Sequence, residues 1–282
     1  MKLLSRRGSP HAMARWALAL LCFIVFRDSL KRLPVCLVPG ASASDASISS
    51  ETIGEGLRKV QSCVAEAAGG RDVRLVAVSK FQPAEAVQAA LDLGQVDFGE
   101  NYVQELLDKA SVLPSSTRWH FIGRLQSNKV KKLVSLPNLV AIETVDSSSL
   151  AARIASAAEA AGRGEGGIDP LNLLIQVDTS GEQTKGGVQP HEASEIASHI
   201  AACGSSVRFA GLMTIGAPGD MGAFDRLRSV RGAVATALGV PDQELGLSMG
   251  MSGDFQEAIR KGATSVRVGS RIFGARPPRR AG

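Results

Sequence analysis

Three stretches of the 282-residue chain carry residue types that could do chemistry together. Lys80 follows the apolar run LVAVS (75–79), and strand alternation puts Val76, Val78 and Lys80 on one side. A lysine at a strand end is costly to bury as a cation, and desolvation lowers its pKa toward that of a Schiff-base amine. A solvated lysine is the equally weighted alternative. Arg267 lies within SVRVGS (265–270), where a permanently charged guanidinium among valines needs a partner. Ser248 to Gly253 (SMGMSG) and Gly269-Ser270 are small, so backbone N–H groups can approach an anion closely. Asp254 or Ser252 can cap the next helix, a structural use of part of the same loop. Jointly these stretches fit a phosphorylated aldehyde, with phosphate at the two loops, the aldehyde on Lys80 and a ring nitrogen toward Arg267.

Other polar residues are more ambiguous. Asn101 and Tyr102 follow VDFGE (96–100) and can either cap a helix or face the same mouth. His120 falls near the start of WHFIG (119–123), a position for a hydrogen-bonded core histidine rather than a base. Arg124, Lys129, Lys131 and Lys132 form a basic cluster, read as a solvated helix face with an anionic partner as the second choice. The four histidines and four cysteines lack metal-ligand spacing, so no metal is expected.

The elements that must position these residues repeat with a regular beat. Strand-like runs fall at 74–80, 96–100, 119–123, 139–145, 171–178, 208–215, 244–250 and 265–270. Helical stretches precede and separate them: 52–68, from Pro83 to Gly94, 102–110, 127–134, 148–161, 190–202, 224–238 and 254–261. Alternation with helices implies parallel pairing, and near-continuous apolar strands imply burial on both faces. Eight such units in about 225 residues predict a single (β/α)8 barrel, whose chemistry lies at the C-terminal ends of its strands. An open doubly wound sheet is the runner-up, but no Gly-rich phosphate loop follows the first strand.

Charge is unevenly spread. Residues 1–50 hold seven Lys/Arg against two Asp/Glu, and the last seven residues hold three arginines. The body between them is slightly acidic, and aromatics are only 4% of the chain, so a nucleic-acid surface is not expected. No Cys-x-x-Cys pair occurs, and the body reads as reduced and intracellular. The apolar run from Trp16 to Phe26 is too short to span a bilayer. An Arg- and Ser-rich, acid-poor leader fits an organelle transit peptide better than a secretory signal; a long upstream start is the alternative. The expected organisation is therefore an extension over 1–50, a barrel over 51–276 and a basic tail over 277–282.

At this point the chain resembles the family of pyridoxal phosphate homeostasis proteins, plant-like members included. The resemblance rests on LVAVSK (75–80), FGENYVQE (98–105), WHFIG with LQSNK (119–129), GLMTIG (211–216), SMGMSGDFQEAI (248–259) and VRVGSRIFGAR (266–276). It implies one barrel similar to the cofactor domain of alanine racemase, binding pyridoxal 5′-phosphate (PLP). It implies a Schiff base on Lys80, Arg267 at the pyridine nitrogen, phosphate on Ser248, Gly269 and Ser270, and Asn101 and Met249 beside the ring. It also implies a cytoplasmic protein, while the extension points to mitochondrion or plastid; charge and run length, as above, argue against nucleic acid and a membrane span. PLP-dependent client enzymes are the partners it suggests; no amphipathic stretch stands out as a partner groove, so a monomer or weak dimer is expected. The tail from Arg276 and the long extension depart from the family pattern.

An arginine at the ring nitrogen keeps the pyridine neutral, a weaker electron sink than a pyridinium. Racemisation would further need a second base, and the racemases supply a tyrosine from a second domain where this chain ends with the barrel. The expectation is a carrier that buffers or delivers PLP with little turnover. A PLP-dependent racemase-like enzyme is the alternative, and a phosphosugar barrel using Lys80 on its substrate comes third.

Overall fold

The computed structural model describes residues 50–274 except 167 and 182–184. Nearly all of the expected extension (1–50) and the whole of the tail (277–282) lie outside the described residues.

Seventeen described elements alternate along the chain. They are α1 (Ser50–Ala68), β1 (Arg74–Val78), α2 (Ala84–Leu91), β2 (Asp97–Glu100), α3 (Val103–Val112), β3 (Arg118–Phe121), α4 (Val130–Val134) and β4 (Leu139–Val145). There follow α5 (Ser148–Ala160), β5 (Leu171–Gln176), α6 (Ala193–Ala201), β6 (Val207–Met213), α7 (Gly222–Leu238), β7 (Gly246–Ser248), α8 (Phe255–Arg260), β8 (Ser265–Val268) and α9 (Ser270–Phe273). The strands pair in parallel, each with the next, and β8 returns to β1 to close the barrel. The open sheet is thereby excluded. In the closing pair Val76 stands opposite Arg267, so the strand that leads to Lys80 and the strand that bears Arg267 are neighbours.

The elements form where the pattern requires. In α1 the buried Ile53, Leu57, Val60 and Val64 recur every three to four residues, the spacing of one helix face. That face packs against α2, α8 and α9. Its contact with α9 is close: a Cβ on Gly56 would lie 2.6 Å from the carbonyl oxygen of Arg271. Outward-facing strand residues such as Ala77, Phe98, Phe121 and Leu173 form the main core with the helices. Ser147 caps α5, its hydroxyl accepting from the Leu150 N–H.

Six of the eight strands end earlier than the apolar runs predict; β2 and β4 end where expected. β1 stops at Val78, leaving Ser79 and Lys80 in the loop, and Phe81 takes a left-handed φ of 64°. α9 was not expected; it is a single turn formed as the chain leaves β8 at Gly269.

Candidate functional site at the C-terminal mouth of the barrel

A cavity of about 310 Å³ opens at the C-terminal ends of β1, β2, β3, β6, β7 and β8. Its wall includes Lys80, Gln82, Asn101, Arg267, Gly269 and Ser270. Five residues singled out from sequence therefore meet at one place: Lys80, Asn101, Arg267, Gly269 and Ser270. Two do not. Ser248 is the last residue of β7 and lies inside the barrel, beneath the cavity, its hydroxyl bonded to Glu143 and Arg267. Met249, next along, points the other way and is buried in the core between strands and helices. The loop beyond them, Met251, Ser252 and Gly253, reaches the cavity instead.

The backbone around Lys80 is held from both sides. The Ser79 hydroxyl donates to Glu100 Oε1 at 2.7 Å, and the Phe81 N–H donates to Glu105 Oε1 at 2.5 Å. Lys109 from α3 is only 6% exposed and ties these groups together. Its ammonium donates to Glu100 Oε1 (2.6 Å), Glu105 Oε1 (2.8 Å) and the Ser79 carbonyl (2.7 Å). Burial pushes the Glu100 carboxyl up, against the pull of the Lys109 charge.

Two loops form the opposite wall. The Gly269 N–H donates to the Ser252 hydroxyl at 3.3 Å, joining the β7 and β8 loops. Gly269 lies against β1: a Cβ there would approach the Val78 carbonyl oxygen to 3.0 Å. Beyond Gly269 the single turn of α9 starts with N–H groups that have no carbonyl one turn behind them. Ser252 thus joins loops rather than capping α8; the Asp254 carboxylate accepts from the Met251 N–H at 2.6 Å.

Arg267 is 4% exposed. Its guanidinium donates Nη1–H to Ser248 Oγ and Nη2–H to the Thr214 carbonyl, both at 2.7 Å. Burial pulls its pKa down, opposed by the charges of Glu143 and Asp254. His120 is the core histidine expected, held between Asp97 (2.8 Å) and Glu143 (2.9 Å).

Two buried polar atoms in the cavity wall, Gln82 Oε1 and Asn101 Oδ1, have no hydrogen-bond partner among the described residues. A bound ligand with hydroxyl or N–H donors answers such groups, and the residues present fit a small phosphorylated aldehyde. Tyr102, 47% exposed and tilted against Phe81, lines an adjoining cavity of about 930 Å³ with Arg124 and Lys129. Among the described residues no cluster of His, Cys, Asp or Glu has the makings of a metal site.

Sequence reasoning missed Gln82, Lys109, Glu105 and Glu143; Ser252 lay in the anion loop it proposed, with capping as its other use. Glu143 had a signal: an acid inside the apolar run LVAIETV must have a partner. The helix charges Glu105 and Lys109 had none.

A closed parallel barrel with a lysine and an arginine from adjacent strands in one cavity defines a (β/α)8 protein built for a small ligand. The family model described as alanine racemase, N-terminal domain, matches residues 51–277. The pyridoxal phosphate homeostasis protein of Schizosaccharomyces pombe is 45% identical over 232 residues, covering 80% of this chain and 94% of its own. The human protein of that name is 46% identical over 214 residues, covering 72% and 76%. PipY of Synechococcus elongatus PCC7942, solved with PLP bound, is 33% identical with a TM-score of 0.67, covering 79% of this chain and all of its own. This chain belongs to the pyridoxal phosphate homeostasis proteins, within the alanine racemase N-terminal domain family.

Proposed function

We propose that the protein binds PLP at the mouth of the barrel and serves intracellular PLP homeostasis, buffering the cofactor or delivering it to client enzymes. The observation that carries the reading is the meeting of Lys80, Arg267 and the Gly269–Ser270 turn in one cavity of about 310 Å³. PLP brings an aldehyde that condenses with a lysine amine, releasing water. The chain's own residues do the rest. The clamped 79–81 turn presents the Lys80 amine, and Arg267 donates toward the ring nitrogen. The backbone of Gly269 and Ser270, with Ser252 and Gly253, receives the phosphate. Gln82 Oε1 and Asn101 Oδ1 would accept from hydroxyl or N–H donors of the bound cofactor.

Little turnover is the second part of the proposal. No histidine, cysteine or tyrosine stands among the described residues lining the cavity, so a base facing Lys80 across a bound substrate is lacking there. Among the described residues no helix is long and apolar enough to cross a membrane. Residence in the cytoplasm, or in an organelle reached through the basic extension, belongs to the same proposal.

The test is borohydride reduction after incubation with PLP, followed by peptide mapping. The expected result is a pyridoxyl adduct on Lys80, with visible absorption before reduction and neither signal in Lys80→Ala. A wild-type protein that stays colourless and unlabelled overturns the reading. Steady conversion of an L- to a D-amino acid would favour the racemase-like alternative.

A further inference from the structure

The interior of a (β/α)8 barrel is ordinarily filled by branched apolar side chains. Here it holds a row of polar groups contributed by five strands: Asp97 of β2, His120 of β3, Glu143 of β4, Ser248 of β7 and Arg267 of β8. Glu143 and Ser248 belong to strands separated by β5 and β6, and their 2.5 Å hydrogen bond crosses the lumen.

The direction of every bond in the row follows from what each group can offer. Arg267 only donates, so Ser248 Oγ accepts from it and its own O–H goes to Glu143 Oε2. Glu143 Oε1 meets His120 Nδ1 at 2.9 Å, and His120 Nε2 meets Asp97 Oδ1 at 2.8 Å. With a carboxylate on each ring nitrogen, His120 donates from both and is a cation. Burial disfavours that charge, but the hydrogen bonds and charges of Asp97 and Glu143 outweigh it and raise the His120 pKa. Burial likewise pushes Glu143 up, yet His120, Arg267 and Ser248 hold it below the ordinary carboxylate range. Charges alternate along the row from the opposite mouth of the barrel to the cavity.

The Ser248 hydroxyl stands between Glu143 and Arg267. A carboxylate in direct contact would take two guanidinium donors in a fork. Here Nη1 and Nη2 each spend one N–H, on Ser248 and on the Thr214 carbonyl, and three of the five donors keep no partner among the described residues. Such a row is not needed for stability, since well-packed apolar residues in its place are often as stable.

We propose that Glu143, backed by His120, is a positioning residue that acts through Ser248 to fix the Arg267 guanidinium in the cavity and so sets how the ring nitrogen of PLP is held. The inference rests on the PLP reading above. It assigns to this row the choice of Arg267 rotamer, while Lys80 and the phosphate loops set occupancy.

The test uses the full chain loaded with PLP and compares Glu143→Gln and Ser248→Ala with wild type. Glutamine cannot accept from both His120 and Ser248, and alanine removes only the bridging hydroxyl. Both variants are expected to retain the borohydride adduct on Lys80, to lose PLP affinity by about tenfold, and to shift the visible band or its pH titration. In an Arg267→Gln background, Glu143→Gln is expected to change neither affinity nor band, which a merely structural role for Glu143 would still do. Wild-type affinity and spectrum in folded Ser248→Ala overturn the proposal, whatever Glu143→Gln does. A persisting effect of Glu143→Gln in the Arg267→Gln background overturns it as well. Failure of wild type to take up PLP is a separate outcome, which removes the functional reading itself.

Discussion

The Lys109 ammonium lies 2.6 Å from Glu100 Oε1, and both side chains are buried beneath the turn that carries Lys80. Removing the cation strands a carboxylate in the interior, which costs about 3–5 kcal/mol for pairs of this kind. Lys109→Met is expected to lower the urea midpoint accordingly. Burial already raises the Glu100 pKa, and losing Lys109 raises it further. A raised carboxyl pKa favours folding at low pH and loses that advantage as pH rises through it. The deficit of Lys109→Met should therefore be larger at pH 8 than at pH 5, with denaturation curves at the two values as the check.

His120 gives the opposite limb of a pH profile a named cause. Its raised pKa stabilises the fold below the ordinary histidine value of about 6.5, and that contribution fades as pH rises through the folded value. Asp97 and Glu143 have lowered pKa values, so their contributions are present above the ordinary carboxylate range and vanish on acidification. Stability should peak between the two limits, with an alkaline slope of up to about 1.4 kcal/mol per pH unit for the one proton. His120→Gln should flatten that alkaline limb, which a pH series of urea midpoints will reveal.

Ser252 ties the β7 and β8 loops, proposed above to receive the phosphate, through the Gly269 N–H. Ser252→Ala removes one hydrogen bond of about 0.5–1.5 kcal/mol. PLP affinity is expected to drop between two- and tenfold with Tm almost unchanged, measured by titrating the visible band. A large fall in Tm without a fall in affinity would contradict the role.

Gln82 separates folding from binding. It is 5% exposed and its Oε1 has no partner. Replacing an unsatisfied buried amide with an apolar side chain of similar shape is neutral or mildly stabilising. Gln82→Met should leave the apoprotein as stable as wild type, or more so, and weaken PLP uptake. Unchanged uptake would mean that the amide does not face the ligand.

The barrel was legible because it follows from periodicity; five of the seven site residues named from sequence reach one cavity, but their roles toward a cofactor came from the family resemblance. Arg267 lies in β8, and Lys80, Asn101, Gly269 and Ser270 lie just past strand ends, where the loops of a (β/α)8 barrel form its mouth. Ser248 and Met249 defeated that reasoning. β7 has only three residues, so the rim lies farther along the chain, at Met251–Gly253, than the run ELGLSMG indicates. Ser248 drops inside the barrel and Met249 turns out to the helices. The clamp of Glu100, Glu105 and Lys109 was illegible for another reason: it joins residues up to thirty positions apart, and charges on an amphipathic helix look alike until it is docked. Glu143 could have been flagged as a buried acid, but its partner Ser248, 105 residues away, could not.

The pairing of Val76 with Arg267 puts the first strand of the cylinder beside the last. During synthesis the lysine emerges long before the strand that must stand next to it, and the pocket has no second wall until the final barrel strand has left the ribosome. A nascent chain that lacks β8 therefore lacks this cavity, and site-specific uptake of PLP, as proposed above, would report that the circle has closed.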